Sequence, residues 1–439
     1  RLLTCFADVM DVQRRAHTGS ATGSRLTGTV ISMKKRIAVT GTGAWSPLGN
    51  TNAAAMAAFR SLRNRVSVQS EVLGSYQNFN TSLGAVVSES LPPYPRKKTR
   101  TMGRVGTLAA AATEDALRSG GFLESPDLRN GRTGVAYGTS GGSFAAMEDV
   151  SRFIAGKDMI NLHGSTYPLL MPHSVAVNLS IFFGVTGSVI ATSVACASGS
   201  QALCYGRDAI LLGREDAMLC GGAEEYSPFF VGVFDALFQT SQGTDPSRSP
   251  RPFDRSRDGI VAGEGAGTLL IEDWDHAIAR GARPLAEIVG AASNSDAVHI
   301  TSPDSAGMER CMRMALDDAG LPPSAIGYVN GHGTGTELGD IAESQATYSV
   351  FGHGVPFSAF KCYMGHTLGA AGALETIYSI LMQREGWFAP NLNLTEPDSR
   401  CGDLDYITGS GREIDAEYIM VNNFAFGGVN TSLVIRKAG

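Results

Sequence analysis

The chain has no cysteine pair at a disulfide or metal-ligand spacing and no CxxC, although it contains seven cysteines, at positions 5, 196, 204, 220, 311, 362 and 401. Odd in number and scattered, they read as reduced thiols in a cytoplasmic setting rather than a disulfide framework, and no catalytic metal is expected. Apolar runs approaching the roughly 20 residues that a membrane span takes are also lacking, because Gly, Ser or a charge interrupts each one. A soluble protein without membrane association is expected. There is no excess of positive charge: 36 Lys and Arg against 42 Asp and Glu leave a net −6, which argues against a general nucleic-acid binder. Glycine is plentiful, 53 of 439 residues, and it falls in GTG, GTSGG, GHGTGT and FGG turns where its φ freedom has a use. With 43% hydrophobic and 18% charged residues, the chain suits a globular protein with two core-bearing units.

Residues 1–32, rich in Arg, Ser and Thr and without a sustained period, differ from all that follows. They read as a disordered leader or non-native extension. A transit peptide shares the composition, although Asp8 and Asp11 count against it. From Met33 onward, short β-branched runs alternate with helical patterns, as in an α/β protein with a mostly parallel sheet. The first half offers RIAVTGTG, GVAYGTSGG, SVIATSVAC, AMLCGGAEE and AGTLLIEDW. The second offers PLAEIVGAASNSD, GYVNGHGTGT, PFSAFKCYMGH, YIMVNNFAFGG and TSLVIRK. The two series match element by element, which predicts two duplicated halves, 33–284 and 285–439, with a site where their strand ends converge.

Cys196 lies in ATSVACASGSQALC, a small-residue turn that runs into a helix, and His332 and His366 lie in the Gly-rich turns NGHGTGT and KCYMGHTLG. A thiol at a helix N-terminus feels unpaired N–H groups, which predicts a favoured thiolate. Against two imidazoles it becomes a candidate for covalent acyl chemistry, although each residue alone also reads as ordinary core. Glu375 falls inside LGAAGALETIYSILMQ, a segment too apolar to be anything but buried. A buried carboxylate needs a cation, and Lys361 is the obvious one.

Taken together and in order, VACASGS, NGHGTGTELGD, KCYMGHTLGAAGALE and NNFAFGGVN resemble the elongating β-ketoacyl-acyl-carrier-protein synthases, over essentially the whole chain from Met33. The resemblance implies a thiolase-like αβαβα layered fold with mixed, mostly parallel sheets. It implies an acyltransferase that lengthens acyl chains with malonyl units delivered on an acyl carrier protein. No cofactor is implied beyond the phosphopantetheine that arrives on the carrier. Cys196 would be the acylated nucleophile, with its N–H and that of Phe426 as oxyanion hole. His332 and His366 would hydrogen-bond the malonyl thioester oxygen, while Lys361 and Glu375 would orient His366. Thr334 and Thr336 would meet the pantetheine arm, and Phe424 and Phe426 would form a mobile gate. Thiolases carry a second cysteine and the initiating synthases pair His with Asn, so two histidines point to the elongating, decarboxylating class.

The sequence departs from the family pattern in ACASG around the cysteine, in Asn423 where Ser is common, and in Gly141 where a bulkier side chain often limits the acyl pocket. These departures leave open a specialised polyketide or polyene pathway, or a non-elongating heterodimer partner. A basic run, Arg96, Lys97, Lys98 and Arg100, with Arg104 a helical turn further on, would steer an acidic carrier. The family assembles as homodimers, and a heterodimer is the alternative. Cys204, Cys220, Cys311 and Cys401 read as small hydrophobes.

Overall fold

The computed structural model describes Lys35–Gly439; the segment read as a leader lies outside the described residues. The β-branched runs form a sheet of eleven strands, β1 (Ile37–Trp45), β2 (Thr133–Gly138), β3 (Val189–Thr192), β4 (Ala217–Glu224), β5 (Gly265–Asp273), β6 (Ala286–Ser295), β7 (Ile326–Gly331), β8 (Pro356–Ala359), β9 (Asp405–Tyr406), β10 (Tyr418–Ala425) and β11 (Val429–Lys437). Their order is β9-β8-β7-β10-β11-β6-β1-β5-β4-β2-β3. Outward from β1, the neighbours β5 and β4 run antiparallel and then β2 and β3 are added in parallel. Outward from β6 the same pattern recurs in β11, β10, β7 and β8. The halves therefore repeat strand for strand, and they meet where β1 and β6 pair antiparallel through Ala38–Glu287 and Val39–Ala286.

Between the half-sheets lie two helices in equivalent places, Ser198–Leu211 after β3 and Ala371–Glu385 after β8. The second is apolar on all sides and buried along nearly its whole length, as its sequence demands. Each of Leu374, Ile377 and Ile380, fully buried, contributes on the order of 1.5–3 kcal/mol by leaving water. Both helices are entered the same way: a residue with left-handed φ, Ala195 (+50°) or Leu368 (+45°), opens a three-residue 3₁₀ turn. Non-glycine residues in that region are strained and tend to mark functional turns. Helices Arg104–Ser119 and Ser305–Ala319 cover the other faces, the first on β1 and β5, the second on β6 and β11.

The long helix-and-loop segments after β4, β7 and β8 are tied by Arg257. Its side chain, 1% exposed, lies 2.8 Å from Asp398 and 3.5 Å from Asp340. It also donates to the carbonyls of Thr336 (3.1 Å) and Glu337 (2.7 Å). Removing one partner of a buried charge network leaves the others unpaired, at a cost of about 3–5 kcal/mol. Arg257→Met should therefore lower the denaturant midpoint by a stability equivalent of about 3–5 kcal/mol. A loss below about 1 kcal/mol would show that the network contributes little.

Candidate active site

Functional side chains gather where strands of both halves end. Cys196 follows β3, His332 follows β7, Lys361 and His366 follow β8, and Phe424 and Phe426 close β10. Ligands commonly bind beyond the carboxyl ends of parallel strands for this reason. The turn after β7 must pass close to β8: a Cβ on Gly333 (φ +47°) would lie 2.4 Å from that of Ala359. Gly427 and Gly428, both at positive φ, let the chain reverse from β10 into β11 beside Phe426.

Cys196, His332, His366, Phe424 and Phe426 line a cavity of about 820 Å³, counting its open mouth. At its base Cys196, His332 and His366 are 5%, 4% and 2% exposed, whereas Ile300 and Leu338 at the rim are 68% and 58% exposed. The cavity thus connects solvent to the thiol. Thr334 and Thr336, hydroxyls 2.9 Å apart, lie on its wall together with Phe424, Phe426 and His299.

The geometry fixes both imidazole tautomers. Lys361 Nζ donates to Glu375 Oε1 (2.5 Å), to the His332 carbonyl (2.6 Å) and to His332 Nδ1 (3.0 Å). An ammonium has three protons and no lone pair, so Nδ1 of His332 accepts and its hydrogen sits on Nε2. At His366, Nδ1 accepts the N–H of Leu368 (3.2 Å), which puts that ring's hydrogen on Nε2 as well, 3.0 Å from Cys196 Sγ. Burial first, and then the Lys361 charge, hold both imidazoles well below their usual range, so both are neutral. The sulfur and one nitrogen of each ring lie within 4.8 Å of one another. Such a trio can ligate a metal; in the tautomers fixed here His366 presents its Nε2 hydrogen, not a lone pair, to the sulfur.

Four expectations need correcting. The Lys361–Glu375 pair bonds to His332, not to His366, because Lys361 extends from the end of β8 toward the neighbouring turn after β7. The thiolate is not favoured in the resting site: burial pushes the Cys196 thiol up to about 12, against the pull of Lys361 and of the Phe426 and Cys196 N–H groups. Arg104 is also not a helical turn beyond the basic run. Arg96–Thr99 is a separate short helix, and Arg104, which starts the next one, is committed to buried Glu264 (2.6 Å). Arg96, Lys97, Lys98 and Arg100 remain exposed, Lys98 over the ring of Phe182. Gly141 does not line the cavity; the ring of Phe230 lies against it.

Sequence reasoning missed two carboxyls. Glu343 accepts the N–H groups of His332 (2.5 Å) and Gly333 (2.7 Å), and burial pushes it up to about 8. Glu224, at the end of β4, is pushed up to about 7 by burial and accepts the N–H groups of Ser140 (2.9 Å) and Gly369 (3.1 Å). Both stand in segments of ordinary helical or strand pattern, so no local signal marks them. Asn423, singled out only as a departure, donates to Glu375 Oε2 (2.6 Å).

Comparison with known proteins covers most of the chain. Residues 34–277 match the family model for the beta-ketoacyl synthase N-terminal domain, and 285–395 match that for the C-terminal domain. The 3-oxoacyl-[acyl-carrier-protein] synthase 2 of Vibrio harveyi is 36% identical over 414 residues, covering 92% of this chain and 99% of that protein. That of Staphylococcus aureus (strain N315) is 33% identical over 422 residues, covering 93% and 99%. A beta-ketoacyl synthase from Burkholderia phymatum STM815 superposes with a TM-score of 0.91 at 48% identity, over 92% of this chain and 100% of that one. The ishigamide ketosynthase/chain length factor gives 0.86 at 30% identity, with the same coverage of each chain.

A thiol held near 12 gains reactivity only as it ionises, so alkylation of Cys196 by iodoacetamide should keep rising close to tenfold per pH unit from about pH 7 to about pH 10. A plateau near neutrality would mean a resting thiolate instead.

Proposed function

The chain belongs to the beta-ketoacyl synthase family, and from that premise we propose that it condenses an acyl-carrier-protein thioester with malonyl-carrier-protein to give 3-oxoacyl-carrier-protein, CO2 and free carrier in fatty acid chain elongation. Cys196 Sγ attacks the acyl carbonyl, the N–H groups of Cys196 and Phe426 hold the oxyanion, and the carrier thiol leaves with the proton that Cys196 gives up. Malonyl-carrier-protein then places its thioester oxygen between the Nε2–H groups of His332 and His366. As the carboxylate departs as CO2, its bonding electrons form an enolate on that oxygen. The enolate carbon attacks the acyl-cysteine, the C–S bond breaks, and one proton is taken up to restore the thiol.

The observation that carries this reading is the pair of neutral Nε2–H donors around one sulfur at the base of an open cavity. Neutral donors suit the step, since they stabilise a developing oxyanion without giving up a proton early. Phosphopantetheine would enter on the carrier past Thr334 and Thr336, with Phe424 and Phe426 as the moving side of the gate. The exposed Arg96, Lys97, Lys98 and Arg100 would meet an acidic carrier, with Arg104 supporting them from its pair with Glu264.

A second copy completes the reading. β3 is an edge strand, and Val189 on it and Ile181 on the preceding helix are 42% and 73% exposed. An open apolar edge invites strand pairing, and a homodimer through β3 would cover it. The likeness to a ketosynthase in complex with its chain length factor, at 27% identity and TM-score 0.81, supports a heterodimer as the second reading. The free cysteines suit a reducing cytoplasm, and no helix among the described residues is long and apolar enough to cross a membrane.

Cys196→Ala should reduce condensation by about a thousandfold or more, while Cys196→Gln should fold and still release CO2 from malonyl-carrier-protein. Intact-mass analysis of the wild type should place the acyl group on Cys196; an adduct on any other residue would contradict the proposal.

A further inference from the structure

An acyl group on Cys196 cannot share the open cavity with the incoming malonyl arm, so its chain must run the other way, among the apolar neighbours of the sulfur. Cys196 shares an apolar cluster with Ala197 and Leu368, and Val429 and Phe230 pack against that cluster. Phe230 and Phe234 stand four residues apart on the helix Pro228–Ala236 and so project from one face. They do different things. The ring of Phe234 lines the cavity and packs against Phe426, with centroids 5.5 Å apart. The ring of Phe230 lies outside the cavity and points its tip at Gly141, where an added Cβ would meet Cζ at 2.3 Å. The space that a side chain at position 141 would fill is therefore taken by an aromatic ring reaching in from a different element.

The two contacting parts differ in freedom. The Gly141 loop is pinned: buried Glu224 accepts the N–H groups of Ser140 (2.9 Å) and Gly369 (3.1 Å), and Thr139 Oγ1 donates to the Gly141 carbonyl (2.7 Å). Phe230 is only partly buried, near one end of a nine-residue helix whose Phe229 and Val233 are 50% and 44% exposed. A growing chain that reaches this point displaces the ring, not the loop.

We propose that Phe230 is a specificity-determining residue, a rotatable stopper seated on Gly141 whose displacement admits straight acyl chains longer than a few carbons. The inference rests on the acyl-enzyme reading above and names what limits the substrate there. In this chain the limit that the family resemblance would place at position 141 is set by residue 230, and the glycine is the seat that the ring requires.

The test is acylation of Cys196 by butanoyl- and dodecanoyl-carrier-protein, followed by intact mass and expressed as the ratio of kcat/KM for the long chain to that for the short. Phe230→Ala should raise this ratio about tenfold or more, and Phe230→Leu should raise it less. Gly141→Ile, whose side chain fills the ring's seat on a pinned loop and cannot swing aside, should lower it, and the gain from Phe230→Ala should be lost in the double variant, so that the two effects are non-additive. A ratio within about twofold of wild type in Phe230→Ala and Phe230→Leu, or additive effects in the double variant, would overturn the proposal. If wild-type Cys196 takes no acyl group from either thioester, the acyl-enzyme reading falls and this inference falls with it. If wild type is acylated but the variants keep its ratio, only the stopper falls.

Discussion

One ammonium organises the site. The three protons of Lys361 are spent on Glu375 and on two atoms of His332; the ammonium and the carboxylate are fully buried and His332 is 4% exposed. Isolating such a charge from water costs several kcal/mol, so it is tolerable only because a carboxylate, a carbonyl and an imidazole lone pair answer it together. The same arrangement does chemical work. It leaves His332 a single tautomer, adds its charge to the burial that holds both histidines neutral, and pulls on the Cys196 sulfur against burial. Glu375 anchors the ammonium, and Asn423 anchors the second oxygen of Glu375.

Duplication explains why these groups meet. Each half alone carries a strand, a strained turn and a buried helix, and each alone has half a site. The antiparallel join at β1 and β6 brings the two central helices together, so that a Cβ on Gly199 would lie 2.9 Å from the Gly369 carbonyl. That close approach sets the nucleophile of one half beside the imidazoles of the other. Small residues in ACASGS and TLGAAGA are therefore packing requirements as much as catalytic motif.

Much of this was legible because the fold repeats local patterns. The ten segments read as strands appear in the sheet, and the equivalence of the Cys196 and His366 turns extends to their backbone geometry. The eleventh strand, β9, has two residues, too few to leave a periodic trace. The Lys361–Glu375 pair could be inferred because a carboxylate in so apolar a helix demands a cation; which histidine it serves could not, since that depends on the spacing of β7 and β8. Glu224 and Phe230 escaped because their roles arise from contacts far along the chain, and Glu343 because its reach back to the turn ten residues earlier depends on how the next helix folds over that turn. The expected thiolate failed for a related reason. Helix position is visible in sequence, but the depth of burial that outweighs it is tertiary.

The central claim is that a buried ammonium presets two imidazoles as neutral Nε2–H donors. Nitrogen NMR of the histidine side chains in the resting protein at about pH 7 reads this directly, since the two ring nitrogens of each tautomer resonate apart. The account predicts that His332 and His366 are both uncharged with the hydrogen on Nε2. Finding His332 as an imidazolium, or with its hydrogen on Nδ1, would contradict it.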